Sequence, residues 1–353
     1  MKQTFNLNKL VRENIQVLKP YRSARDDYDS GILLDANENS FGSPIDSDLE
    51  LNRYPMPYQE QLRSKVAEFR NVDMDNVFVG VGSDEAIDLL FRIFCSPGKD
   101  KVIINPPTYG MYKVSANINN VRIDEVLLTT DFQLQTEKIF NRITDFTKLI
   151  FVCSPNNPTA NSINRNDIIN LLENFDGLVV VDEAYIDFSD EPSFADSVKD
   201  YPNLVVLQTL SKAFGLAGIR LGIAIANPEV INYMMKVKAP YNVNKLTSDV
   251  ALKAFDKLDK VQENILHIKN EKERVRTALE AIKQIEKVFV SDANFLLFRV
   301  DDAIDVYKKL ADSGVIIRFR GNEPHCENCL RLTIGTKLEN DQFLEALKLS
   351  LNP

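Results

Sequence analysis

Several features that mark other classes of protein are scarce or missing in this chain of 353 residues. It has no tryptophan, and no apolar run is long enough to span a bilayer. The first residues, Met-Lys-Gln-Thr-Phe-Asn-Leu-Asn, contain no apolar signal core. We therefore expect the protein to remain in the cytoplasm, with no membrane among its partners.

Positively charged residues are outnumbered by negatively charged ones. The chain has 42 lysines and arginines against 51 aspartates and glutamates, a formal net charge of −9. Because nucleic-acid phosphates would on average be repelled, we expect no nucleic-acid partner. The hydrophobic share of 44% is ordinary for a globular protein, and the length allows a large core.

Histidine and cysteine are too few for several kinds of site. His267 and His325 are the only histidines, so few residues could serve as the base of a Ser/His/Asp or Cys/His mechanism. Cys95 and Cys153 lie in apolar contexts and are expected to be small core residues in a reducing compartment. The pair in Cys326-Glu-Asn-Cys329, preceded by His325, is half of a zinc site without a second pair, so we expect no metal.

The pattern of apolar runs predicts an α/β fold. Residues 1–35 look like an N-terminal arm that joins the small domain, with a short strand beginning at Ile32. Residues 36–240 form the predicted large, cofactor-binding domain: from residue 72 to about 235, short strands alternate with helices, and several strands are apolar along their whole length. That is typical of strands covered by helices on both faces, so we predict a large domain with a doubly wound, mostly parallel sheet.

Residues 241–353 differ from the preceding part of the chain in composition and in periodicity. Glycine and proline are absent from Tyr241 to Ser313, and charged residues with helical periodicity fill 249–285. Lys272 interrupts the apolar seam of this stretch, which argues against a coiled coil. We predict one or two long helices leading into a smaller α/β domain.

The stretch 204–220 joins a buried strand to a reactive side chain. The β-branched run Leu204–Leu207 predicts a strand, which breaks into Thr-Leu-Ser-Lys212. The Lys212 amine can form a Schiff base with an aldehyde, while Ser211 and Arg220 hold an anion nearby. On this stretch alone, a surface lysine at the end of a strand explains the pattern equally well.

Polar residues also follow the other predicted strands, at the sheet edge where ligands of open α/β sheets bind. Gly82-Ser83 opens a helix whose N–H groups favour a phosphate, with Ser83 as the expected N-cap, although an ordinary capped helix fits too. Asp182 ends a buried strand and needs a cationic partner, such as a protonated pyridine nitrogen. Asn157 or Tyr185 can donate to a ring oxygen, and Tyr109 can lie flat on a ring. Together these groups describe pyridoxal phosphate.

Longer motifs sharpen this interpretation. They include Tyr109-Gly-Met-Tyr112, Ser291-Asp-Ala-Asn294 and Leu330-Arg-Leu-Thr-Ile-Gly-Thr336. Together with the lysine and Asn157-Pro-Thr motifs, they make the chain resemble the aspartate-aminotransferase-like, fold-type I pyridoxal-phosphate enzymes, and within them the histidinol-phosphate aminotransferase subfamily. The similarity runs from about Tyr21 to the C-terminal helix.

The resemblance implies transamination of L-histidinol phosphate with 2-oxoglutarate, giving imidazole acetol phosphate and glutamate in histidine biosynthesis. The implied catalytic residues are Lys212, which binds the cofactor aldehyde and shuttles the proton, Asp182 and Tyr109. The implied cofactor contacts are Ser83, Asp84 through its backbone, Tyr109, Asn157, Asp182, Tyr185, Ser211, Lys212 and Arg220. The implied substrate contacts are Tyr21, Asn157, Arg318 and Arg331, with the arginines binding phosphate or carboxylate.

The same resemblance implies a homodimer in which Tyr54 reaches the cofactor phosphate of the neighbouring subunit. One residue departs from the family pattern: Ala160 stands where glycine usually follows Asn-Pro-Thr, and alanine tolerates a positive φ poorly.

Three alternatives stay open at this point. An aromatic-amino-acid aminotransferase and a threonine-phosphate decarboxylase would use the same site. A regulatory module that senses pyridoxal phosphate without turnover would share the fold, although such regulators usually add a DNA-binding domain, for which this chain has neither the length nor a basic patch.

Overall fold

The computed structural model describes residues 5–28 and 30–351, so the ends of the chain and one position of the predicted arm lie outside the described residues. The strands are β1 Val77–Val81, β2 Lys101–Ile104, β3 Arg122–Glu125, β4 Thr147–Cys153, β5 Leu178–Asp182, β6 Leu204–Thr209, β7 Leu221–Ala226, β8 Ile285–Val288, β9 Phe295–Val300, β10 Arg318–Phe319 and β11 Cys329–Thr333. The helices are α1 Glu13–Gln16, α2 Glu60–Arg70, α3 Gly82–Phe94, α4 Met111–Ile118, α5 Thr136–Phe140, α6 Arg165–Asn174, α7 Pro228–Val237, α8 Lys245–Phe255, α9 Leu258–Glu280, α10 Ala303–Asp312 and α11 Lys337–Leu351. Within the described ranges, no helix has the length and apolar character needed to cross a membrane.

The large sheet has the strand order β1-β7-β6-β5-β4-β2-β3. Only β7 runs antiparallel to its neighbours among these strands, and the rest share one direction. Along β5, Val179 and Val181 join one apolar core, whereas Leu178 and Val180 join the core on the opposite face. Since both faces are buried under helices, the strands are apolar throughout. The predicted α/β fold with a mostly parallel sheet is confirmed.

The smaller sheet has the order β10-β11-β9-β8 and is antiparallel. Apolar side chains of α9, α10 and α11 pack on it and form a third core. The predicted long helices are α8 and α9, as expected for a stretch without glycine or proline. The division of the chain at residues 35 and 240 stays a prediction.

The lysine that breaks the apolar seam of α9 has a clear role. Lys272 is 4% exposed, and its Nζ donates to the carbonyl oxygens of Ser291 (2.6 Å) and Ala293 (3.1 Å). A buried ammonium needs such acceptors. Lys272 thereby ties α9 to the loop before β9.

The strand expected at Ile32 is wrong. Ile32 and Leu34 lie in irregular backbone and are 91% and 77% exposed, since no neighbouring strand offers them a ladder of hydrogen bonds. Ion pairs hold the segment instead: Arg25 contacts Asp35 at 3.1 Å and Glu38 at 2.7 Å.

Gly222 on β7 lies too close to the start of α3 to carry a side chain. A Cβ there would lie 2.0 Å from the carbonyl carbon of Gly82 and 2.1 Å from the backbone nitrogen of Ser83. Relief requires β7 to move away from α3. We therefore expect Gly222→Ala to lower the midpoint temperature of thermal unfolding, followed by circular dichroism, by about 5 °C or more.

Gly110→Ala is the matched control. Gly110 has φ −65° and ψ −18°, and a Cβ there would meet nothing within 4 Å. The substitution should leave the midpoint unchanged or raise it, because alanine restricts the unfolded chain more than glycine does. Equal losses in the two variants would contradict the steric explanation.

Candidate active site

The carboxyl ends of the parallel strands open into a cavity of about 510 Å³. Because β2, β4, β5 and β6 run in one direction, the loops that follow them meet at this edge. Most of the predicted site residues line the cavity: Ser83, Asp84, Tyr109, Asn157, Asp182, Tyr185, Ser211, Lys212, Arg220, Arg318 and Arg331. An amine, a buried acid, amides and guanidiniums are thus brought together.

Asp182, the last residue of β5, is 2% exposed. Its Oδ2 accepts a hydrogen bond from Tyr112 Oη at 2.6 Å, and its Oδ1 accepts one from the N–H of Ala184 at 3.1 Å. Burial raises the pKa of Asp182, although these two bonds oppose the shift. A cation in the cavity would favour the carboxylate form further.

Lys212 lies shortly beyond the end of β6, the strand that pairs with β5. Its Nζ lies 5.5 Å from the centre of the Tyr185 ring. Burial lowers the pKa of Lys212, and the positive charge of Arg331 lowers it further. A larger neutral fraction makes the amine a better nucleophile and base. Lys212 and Asp182 therefore enter one cavity from adjacent strands.

The helix start near Arg220 differs in detail from the prediction. Helix α3 begins at Gly82 with Val81 at the N-cap position, so the expectation that Ser83 caps the helix was wrong. Gly82, with a φ of 71°, makes the turn, and Ser83 falls in the first helical turn. A Cβ on Gly82 would lie 2.6 Å from Arg220 Nη2, so the glycine leaves room for that guanidinium.

Two acids follow Ser83, and both have their own partners. Asp84 Oδ2 accepts from Arg220 Nη2 at 3.3 Å, and its Oδ1 accepts from Tyr109 Oη at 3.1 Å. Glu85 turns back, and its Oε2 accepts the N–H of Val81. The Glu85 carboxylate is therefore occupied by the N-cap residue of α3, and Glu85 is not among the residues that line the cavity.

Arginines line another part of the cavity. Arg331, on β11, donates from Nη1 to Asn157 Oδ1, and Asn157 Nδ2 donates to Tyr185 Oη at 3.4 Å. The Nε of Arg331 is buried without a hydrogen-bond partner in the described part of the chain. Such a donor is costly to bury unsatisfied, so an anionic ligand suits this end.

Ala160 adopts the left-handed backbone conformation, with a φ of 72°. Its N–H donates to the oxygen of Asn156 at 2.7 Å, and its oxygen accepts the N–H of Asp292 at 2.8 Å. These bonds hold the loop that carries Asn157 although glycine is absent.

Two predicted residues lie outside the cavity. Tyr54 stacks on Tyr241 with ring centroids 4.7 Å apart, and its N–H donates to Glu38 Oε1 at 2.7 Å. Tyr21 lines a separate surface pocket with Lys236. Neither is among the residues that line the cavity.

Sequence reasoning missed Tyr112 and Arg320. Tyr112 appeared only inside a longer motif, and its contact with Asp182 depends on how α4 packs on the sheet. Arg320 lines the cavity two positions beyond Arg318. Alternate residues of an extended segment share a face, so this spacing was a usable signal.

The family of this chain follows from its similarity to known proteins. The model for aminotransferase class I and II matches residues 29–347. The chain belongs to that family. Histidinol-phosphate aminotransferases of Flavobacterium johnsoniae and Christiangramia forsetii are each 50% identical to it, covering 98% of this chain and 99% and 98% of their own lengths. The crystal structure of the histidinol-phosphate aminotransferase from Clostridium acetobutylicum has a TM-score of 0.79 at 27% identity, covering 86% of this chain and 92% of that one.

Pyridoxal phosphate is the cofactor of such aminotransferases, and the residues of the cavity fit it. Lys212 would supply an amine for the aldehyde, and Asp182 would supply a buried carboxylate for the ring nitrogen. The N–H groups at the start of α3 and the Arg220 guanidinium suit the phosphate. The part played by each individual residue stays a prediction.

Tyr112→Phe tests how Asp182 is held. Tyr112 is fully buried and stacks on Phe151 with centroids 4.8 Å apart, so phenylalanine keeps the packing and removes only the hydroxyl. Losing a hydrogen bond to a charged group should weaken binding of pyridoxal phosphate by about 10- to 100-fold, because the pKa of Asp182 rises further. Absorbance titration of the apoprotein measures this.

Tyr233→Phe serves as the control, since it removes a 3.1 Å bond to Asn8 far from the cavity. It should leave cofactor affinity unchanged. Unchanged affinity in the Tyr112 variant would show that the hydroxyl does not support Asp182.

Proposed function

We propose that this chain catalyses the transamination of L-histidinol phosphate with 2-oxoglutarate, giving imidazole acetol phosphate and glutamate, in histidine biosynthesis in the cytoplasm. The curated relatives named histidinol-phosphate aminotransferase support it, at 50% identity over nearly the whole chain. Four free cysteines agree with a reducing compartment. The observation that carries the proposal is one cavity combining Lys212 and Asp182 with an arginine cluster.

The arginine cluster suits both substrates of such a reaction. Arg331, together with Arg318, would bind the phosphate of histidinol phosphate in one half-reaction and a carboxylate of 2-oxoglutarate in the other. A guanidinium with a buried, unsatisfied Nε serves either anion. An aromatic amino acid carries neither a phosphate nor a second carboxylate, so it would form fewer ionic contacts with the arginine cluster.

Pyridoxal phosphate, when bound, supplies an electron sink next to the substrate Cα. In our proposal the Lys212 amine holds the cofactor and then moves the proton at Cα, for which its lowered pKa suits it. Asp182 would hold the ring nitrogen, and Tyr109 would contact the ring. The remaining contacts are assigned to Asn157 and Tyr185 at the ring oxygen and to Ser83, Asp84 through its backbone, Ser211 and Arg220 at the phosphate.

Lys212→Ala tests the central assignment. The purified protein with pyridoxal phosphate should show a visible absorption band that shifts when histidinol phosphate is added. The variant should lose that band and its turnover, since no other amine of the described residues lines the cavity. Lys253→Ala, at an exposed helical site, is the control and should behave like the unchanged protein.

Comparing substrates separates the remaining alternatives. Histidinol phosphate should have a higher kcat/KM than phenylalanine with 2-oxoglutarate as acceptor. Turnover of phenylalanine alone would favour an aromatic-amino-acid aminotransferase, and release of carbon dioxide from threonine phosphate would favour the decarboxylase. Cofactor binding without any turnover would favour a regulatory module.

We also infer a homodimer in which Tyr54 completes the neighbouring site. Tyr54 is half-exposed and lies outside the cavity of its own chain. The segment around it exposes many large apolar side chains, which a second copy would cover. They are Tyr21, Tyr28, Ile32, Leu34, Phe41, Ile45 and Met56.

Mixing two inactive variants tests the shared site. In a heterodimer of Lys212→Ala and Tyr54→Ala, one site would carry both substitutions and the other would carry neither. Unfolding and refolding an equal mixture should therefore restore activity at about a quarter of the sites. If Tyr54 acts within its own subunit, mixing should restore no activity. A monomer in analytical sedimentation would contradict the inferred homodimer directly.

A further inference from the structure

A third arginine lies beside the two that the proposed reaction uses. Arg318 on β10 pairs with Arg331 on β11, and Arg320 follows two positions later. All three line the cavity, together with the carboxylate of Glu323. Three guanidiniums and one carboxylate leave an excess of two positive charges at this part of the wall.

Arg320 is poorly satisfied by its own chain. Its side chain is 20% exposed, and its Nε is buried without a hydrogen-bond partner among the described residues. The ion pair with Glu323 joins Nη1 to Oε1 at 4.0 Å, too long for a hydrogen bond. Burial lowers the pKa of Arg320, and the charge of Arg318 lowers it further. The guanidinium therefore lacks a strong anionic partner.

Its backbone, in contrast, is firmly held. The N–H of Arg320 donates to the oxygen of Cys329 at 2.9 Å, at the end of the paired strands β10 and β11. The guanidinium is thus attached to a fixed point two residues from Arg331 across the hairpin. A group positioned in this way is suited to bind a ligand with little loss of conformational entropy.

We propose that Arg320 determines specificity in this subsite, by favouring a doubly charged phosphate over a singly charged carboxylate. The inference rests on the proposed function and adds to it. A phosphate dianion balances the two excess charges and offers enough oxygens for three guanidiniums. A carboxylate has two oxygens and one charge, which Arg331 and Arg318 satisfy without Arg320.

Glu323 takes part in this discrimination. Its weak pair with Arg320 is broken easily when a dianion binds, because the phosphate oxygen is the better acceptor. A monoanionic carboxylate gains less from Arg320 and leaves the pair with Glu323 in place. The two substrates therefore differ in whether they use Arg320.

The test compares KM values for the two substrates in Arg320→Gln. Losing one charge-assisted contact should raise KM for histidinol phosphate by about 10- to 100-fold. KM for 2-oxoglutarate should change by less than about 3-fold, and kcat should stay near its original value, because a binding contact is lost rather than a chemical one. In Arg320→Lys, KM for histidinol phosphate should lie between the values of the unchanged protein and Arg320→Gln, since lysine keeps the charge without the planar guanidinium.

Two further variants sharpen the comparison. Glu323→Gln removes the competing carboxylate and should lower KM for histidinol phosphate. Lys287→Gln removes one positive charge from an exposed position on β8 of the same sheet and should change neither KM. Equal increases for both substrates in Arg320→Gln, or an increase as large in Lys287→Gln, would overturn the proposal.

Inorganic phosphate separates failure of this inference from failure of the proposed function. It should inhibit competitively against 2-oxoglutarate, and Arg320→Gln should raise its inhibition constant by about 10-fold. If the protein acts on another amino donor and not on histidinol phosphate, the proposed substrate is wrong, and phosphate inhibition still tests Arg320. An unchanged inhibition constant in Arg320→Gln would contradict the role given to Arg320.

Discussion

The site depends on a carboxylate buried at the end of a strand. Asp182 is nearly inaccessible, and a charge in that position is stable only with donors directed at it. Tyr112 and the N–H of Ala184 supply two of them. Since Tyr112 is itself packed on Phe151 and against the edge of the Tyr109 ring, one aromatic cluster supports the acid and the ring expected to stack on the cofactor.

The neighbouring acid shows how extended backbone gives two adjacent carboxylates different surroundings. Glu183 is as buried as Asp182, but successive residues of a strand point to opposite faces. On its face Glu183 accepts hydrogen bonds from Ser193, from the N–H of Phe194 and from Gln208. These bonds leave it no access to the cavity. The two adjacent carboxylates thus have different partners, because they lie on opposite faces at the end of β5.

Much of the fold could be predicted, because local patterns carry it. Apolar runs such as Leu178–Val181 and Leu204–Leu207 are buried strands whatever their neighbours are, and their shared direction brings Asp182 and Lys212 to one edge. The strand predicted at Ile32 was wrong because an apolar run forms a strand only where a partner strand can pair with it, and Ile32 has no such partner among the described residues. Tyr112 was missed because its contact with Asp182 joins segments far apart in the chain, whereas the position of Arg320 could have been inferred from its spacing to Arg318.

The sequence by itself determined the fold class and the family and predicted the candidate amine and acid, since each rests on a short run of residues whose chemistry and periodicity are local. The tertiary structure alone decided which groups meet. It joined Tyr112 to Asp182, placed Arg320 and Glu323 beside Arg318 and Arg331, and left Tyr54 outside the cavity of its own chain. The physical reason is that a hydrogen bond or an ion pair acts over a few ångströms in space, and distance along the chain does not reveal that separation.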